Sequence, residues 1–92
     1  MAFTSHIEGR NAKVSIYPDR IEWTRTKWNL LGSRTDTNMV PIRKIEGVTT
    51  HHASLVNDSV KVAAGAAGVE FRVPRAKAAD IKSTITRLML ES

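Results

Sequence analysis

Val69-Glu70-Phe71-Arg72-Val73-Pro74-Arg75-Ala76-Lys77-Ala78-Ala79-Asp80-Ile81 changes its period at Pro74. Before the proline, Val69, Phe71 and Val73 alternate with Glu70 and Arg72, the pattern of a strand with one buried face. After it, Ala78, Ile81, Ile85, Leu88 and Met89 fall at i, i+3, i+7, i+10 and i+11, one stripe of a helix. Lys77, Asp80, Thr84, Arg87 and Glu91 take the other side, with Lys77–Asp80 and Arg87–Glu91 spaced as surface ion pairs. Proline suits the first positions of a helix, where its missing N–H costs no bond. A lone helix with so few branched apolar residues is marginal in water. It is therefore expected to lie over the mouth of a barrel.

Reading backwards from this stretch, the chain is a series of short alternating runs. Gly65-Ala66-Ala67-Gly68 reads as a hairpin loop, its glycines supplying positive φ at little cost. Val60, Val62 and Ala64 alternate with Lys61 and Ala63, after a turn at Val56-Asn57-Asp58. Residues 44–53 form a β-branched strand in which Gly47 marks a bulge, and residues 33–41 a weaker one ended by Pro41. Residues 27–32 lose the period and end in glycine, which predicts a loop. Residues 20–26 and 12–17 are strands joined by a Pro18-Asp19 turn, and residues 3–8 are the first strand, with Gly9-Arg10-Asn11 as its turn. The expected fold is mainly β with one C-terminal α-helix, a small closed or nearly closed barrel capped by that helix, in a single domain spanning residues 1–92.

Composition narrows the class. The 92-residue chain has no cysteine, so disulfides and thiolate metal sites are ruled out. No apolar run approaches the roughly 18 residues of a membrane-spanning helix, and the opening residues lack a signal peptide's apolar core. A soluble cytoplasmic protein is expected. The net charge is +5: residues 1–46 carry eight basic and five acidic side chains, residues 47–92 six and four. The excess is spread rather than concentrated in a tail, so it favours acidic partners only by long-range attraction.

Two segments carry a family resemblance. Lys13-Val14-Ser15-Ile16-Tyr17-Pro18-Asp19-Arg20-Ile21-Glu22-Trp23 is a strand, an Asp turn and a strand; Pro41-Ile42-Arg43-Lys44-Ile45-Glu46-Gly47-Val48 follows, and Val69-Glu70-Phe71-Arg72-Val73 with its helix closes the chain. Together they resemble the small bacterial and phage pleckstrin-homology-like (PH-like) domains of actinobacterial type, over nearly the whole chain. The resemblance implies a seven-stranded bent barrel capped by the helix, and an interaction module of unspecified ligand. Eukaryotic phosphoinositide-binding relatives of that fold carry a run of basic residues in the first hairpin. Here that hairpin offers only Arg10 and Lys13.

Each chemistry-bearing group has a plainer structural explanation. His51 and His52 are neighbours in a strand and point to opposite faces, so the pair cannot chelate one ion, and His6 is remote in sequence. No nucleophile elbow, phosphate-cradling loop or dinucleotide fingerprint occurs, and the carboxylates are scattered singles. No catalysis, metal, cofactor or small-molecule substrate is expected. The best surface candidate is Arg25, Lys27, Trp28, Leu30, Leu31 and Arg34, where a tryptophan and two leucines stand among cations in the expected loop. The expected function is binding of a protein partner, or self-association, through a sheet edge and the Trp28 loop. The alternative is charge-driven binding of an anionic membrane surface or nucleic acid through Arg25, Lys27, Arg34 and the basic C-terminal helix.

Overall fold

The computed structural model describes residues 1–7, 10–29 and 32–92, with the side chains of residues 26–29, 33, 34 and 67 outside the description. The alternating runs fold as seven strands: β1 (Ala2–Ile7), β2 (Arg10–Ile16), β3 (Arg20–Asn29), β4 (Gly32–Pro41), β5 (Gly47–His52), β6 (Asn57–Ala64) and β7 (Ala67–Pro74). A 3-10 turn, Ile42–Lys44, links β4 to β5, and α1 (Arg75–Glu91) follows β7 directly. All neighbours are antiparallel in one sheet of order β4-β3-β2-β1-β7-β6-β5. The expected mainly-β fold with a single closing helix is thus the observed one. No helix among the described residues is long and apolar enough to cross a membrane.

Period 2 becomes a buried face. Phe3, Ser5 and Ile7 of β1, Val14 and Ile16 of β2, Ile21 and Trp23 of β3, and Val69, Phe71 and Val73 of β7 all point inward. Residues from both halves of the sheet, with Ala78, Ile81 and Ile85 of α1, belong to one buried cluster. A sheet whose opposite halves share one core must bend over on itself. Each fully buried Ile, Val or Phe side chain contributes about 1.5–3 kcal/mol relative to exposure. The helix covers β5, β6, β7 and the 3-10 turn with its predicted stripe, while Leu88 and Met89 are half-buried at its far end.

Several expected boundaries move. Lys27, Trp28 and Asn29 are not in a loop: their backbone continues β3, opposite Arg34, Ser33 and Gly32 of β4. Alternation faded there because Thr35, Thr37 and Asn38 across the hairpin are exposed, so the strands run on past the core without an apolar face to reveal them. Leu30 and Leu31 lie outside the described residues, as do Glu8 and Gly9 of the expected first turn; Arg10 and Asn11 already belong to β2. The turn placed at residues 56–58 falls instead at residues 53–56, because the Asp58 carboxylate is held inside the structure as part of β6. The expected four-residue loop at residues 65–68 tightens to Gly65-Ala66, with Gly65 at φ 60. Residues 42–44 coil into the 3-10 turn, so β5 starts at Gly47 rather than Lys44.

Candidate functional site

β5 is the last strand of the sheet and pairs only with β6 among the described residues. Ala53 N–H donates to the Asn57 carbonyl at 3.1 Å. In an antiparallel ladder, hydrogen-bonded pairs recur every second residue. His51–Ser59, Thr49–Lys61 and Gly47–Ala63 are therefore the bonded pairs, continuing that of Ala53 and Asn57. Val48, Thr50 and His52 consequently turn their N–H and C=O groups outward, along the open edge.

Both ends of this edge are fixed. At the start, Glu46 N–H donates to the Ala63 carbonyl at 2.7 Å, and a Glu46 carboxylate oxygen accepts from Gly65 N–H at 2.8 Å. At the far end, Asp58 Oδ1 lies 3.0 Å from His52 Nδ1 and accepts from Arg75 Nε at 3.0 Å. Arg75 also donates to the Ser54 carbonyl at 3.2 Å, and its own N–H donates to the Val56 carbonyl at 3.0 Å. The first residue of α1 is thereby tied to the β5–β6 turn. The Arg75 guanidinium is the main reason the Asp58 carboxyl sits below its ordinary range; His52 adds to this, and partial burial opposes it.

Beside the edge, α1 and Thr50 border a shallow, open groove lined by Ala79, Ser83 and Thr86, with Lys82, Arg87 and Leu90 along its sides. Small side chains on that face leave room for a further backbone. Leu90 is 84% exposed, an apolar foothold at one end. The opposite sheet edge is different. β4 carries Arg34 and Asp36 and ends in Pro41, the charges and proline that discourage strand addition. β5 reads Gly-Val-Thr-Thr-His-His and has neither proline nor a lysine, arginine or carboxylate.

A second concavity of about 1010 Å³ follows the β1–β7 seam, where His6–Arg72 is the one register pair among the described residues. The Ser5 hydroxyl, itself buried, donates to the Arg72 carbonyl there. Trp23, Ile7 and Val69 supply apolar wall; Arg25 and Asn38 supply polar wall.

The six residues expected to form a partner surface are only partly brought together. Arg25 is half-buried, directly opposite Asp36, and lines the seam concavity. Lys27 stands opposite Arg34 and Trp28 opposite Ser33 in the β3–β4 register. Leu30 and Leu31 fall outside the described residues. His51 and His52 are each engaged with a carboxylate: His51 Nε2 is 3.5 Å from Glu70 Oε1, and His52 is held by Asp58. Among the described residues no three or more His, Cys, Asp or Glu side chains are grouped to hold a metal ion. Of the expected ion pairs, Arg87–Glu91 forms at 4.0 Å, whereas the Lys77 ammonium lies 5.6 Å from the centre of the Phe3 ring.

The β5–α1 groove is what sequence reasoning missed. Its signal was present in the helix face Ala79, Ser83 and Thr86, small residues at helical spacing on the side away from the apolar stripe. Nothing in the sequence says that this face borders a strand edge, because that depends on the crossing of α1 over the sheet. No protein-family model matches this chain, and a search of curated proteins gives no match either.

Proposed function

We propose that this chain is a non-catalytic interaction module of the PH-like type, binding a protein partner or a second copy of itself by adding an extended segment to the β5 edge. The observation that carries the reading is the outward row of N–H and C=O groups on Val48, Thr50 and His52, on an edge without guarding charges and beside a groove. Main-chain bonds along such an edge give affinity with little sequence signature, and the groove receives alternate side chains. The strand order and closing helix support the PH-like assignment alongside the sequence resemblance.

Thr50→Pro tests this. Thr50 points its N–H away from β6, so proline there removes an edge donor without breaking the existing ladder. Extended peptides selected for binding to the wild-type chain should lose about tenfold or more in affinity on Thr50→Pro, because two or more edge bonds of about 0.5–1.5 kcal/mol each are disturbed. Selected peptides that bind the folded variant equally well, and perturb amides away from β5, would sink the proposal.

A second reading, charge-driven contact through the β3–β4 hairpin, is favoured by one observation. Lys27 and Arg34 hold opposed register positions, so the hairpin backbone sets two basic residues level with each other. An anionic membrane surface or nucleic acid is attracted to basic residues brought together in this way.

A further inference from the structure

We infer that the β5–α1 groove takes an acidic extended segment from a different protein, and not a second copy of this chain; this rests on the edge-binding reading above. Among the described residues, the charged side chains lining the groove are Lys82 and Arg87, and no carboxylate lines it. Asp80 and Glu91 lie on the same helix outside that lining. Glu91 approaches Arg87 only at 4.0 Å, with both side chains about two-thirds exposed, an arrangement that offsets little of the guanidinium's charge. Of the carboxylates on β6, on β7 and in the connection before β5, Asp58 is held by Arg75 and His52, Glu46 accepts from the Gly65 N–H, and Glu70 lies 3.5 Å from His51. An extended ligand therefore meets Lys82 and Arg87 on a lining that, among the described residues, carries no carboxylate.

Symmetry argues against self-pairing. Two β5 edges joining antiparallel are related by a two-fold axis perpendicular to the shared sheet, which leaves both helices on the same face. Lys82 and Arg87 of one copy would then face Lys82 and Arg87 of the other across the junction. Such like-charge juxtaposition disfavours the pairing, whereas carboxylates at alternate positions of an incoming strand would face the same cations favourably. Leu90, exposed at the end of the groove, adds a contact for one apolar side chain.

The test uses three peptides with the same Val/Thr-alternating backbone, carrying Glu, Gln or Lys at the intervening positions. Binding is read from the amide shifts of Val48, Thr50 and His52 in the whole chain. The Glu peptide should bind about tenfold more tightly than the Gln peptide at low salt, and the gap should narrow as salt shortens the Debye length to about 3–4 Å. Lys82→Glu combined with Arg87→Glu, both on the exposed helix surface, should reverse the order in favour of the Lys peptide. Equal affinity for the Glu and Gln peptides overturns the acidic-segment inference while leaving edge binding standing. Absence of β5 shifts with every peptide, or shifts that Thr50→Pro leaves intact, overturns edge binding itself. Sedimentation should find a monomer. A dimer abolished by Thr50→Pro overturns the assignment to a foreign partner.

Discussion

Asp58 shows how one side chain organises its surroundings. It joins the β5–β6 turn to the start of α1 through Arg75, and it fixes the end of the open edge through His52. Its carboxyl is depressed below the ordinary value of 3.8. Its contribution to stability is therefore present above that value and is lost as pH falls through the lower, folded-state value. Asp58→Asn should lower the melting temperature at about pH 7, and the difference from wild type should shrink in melts recorded near pH 3. An equal difference at both values would mean that the charge is not what Asp58 contributes. Gly68 is a second such position. A Cβ there would lie 2.9 Å from the Val62 carbonyl oxygen, which belongs to the paired strand and cannot swing aside. Gly68→Ala should cost about 1–3 kcal/mol in denaturant titrations. The sequence marked Gly68 as a loop glycine with positive φ; its role is close approach, and only the β6–β7 register makes that visible.

At the scale of elements, the helix is the part most legible in advance. Its apolar spacing predicted burial of Ala78, Ile81 and Ile85, and all three are buried. Truncating Ile85 to Ala should cost about 2–4 kcal/mol, measurable by chemical unfolding. A loss below about 0.5 kcal/mol would mean that the helix is not docked through that side chain. The β3–β4 hairpin was the least legible, for a physical reason. Hydrophobic alternation reports a strand only where one face is buried, and this hairpin continues past Trp23 into polar positions such as Asp36 and Thr37. Strand formation there is carried by β-branched threonines and ladder bonds, a weaker signal. The candidate site suffered similarly, since an edge is a property of strand order and no single strand encodes it. Lys27→Glu removes one of the two basic residues that the register sets level at the hairpin. If the hairpin meets an anionic surface, the same change should weaken retention on acidic lipid vesicles; unchanged retention would remove the charge-driven reading.

For the molecule as a whole, the bonds that build the sheet are mostly local in sequence. β1 to β4 form one run of adjacent hairpins, and β5 to β7 with α1 form another. Among the described residues, only the β1–β7 seam joins the two runs within the sheet, through His6–Arg72 and the hydroxyl of Ser5, donated across 67 residues of chain. That arrangement has a kinetic consequence. Hairpins close short loops and assemble early, while a junction between the first and last strands must wait for a long loop to close. The seam should be unformed at the folding barrier. Ser5→Ala should therefore accelerate unfolding while leaving the refolding rate nearly unchanged in stopped-flow experiments. A slowed refolding limb would instead place the seam in the nucleus. Mechanically the same geometry makes the sheet two hairpin runs stapled along one line: among the described residues six register pairs hold β1 to β2 and one holds it to β7, so a force that draws the first strand from the last parts the runs along the seam.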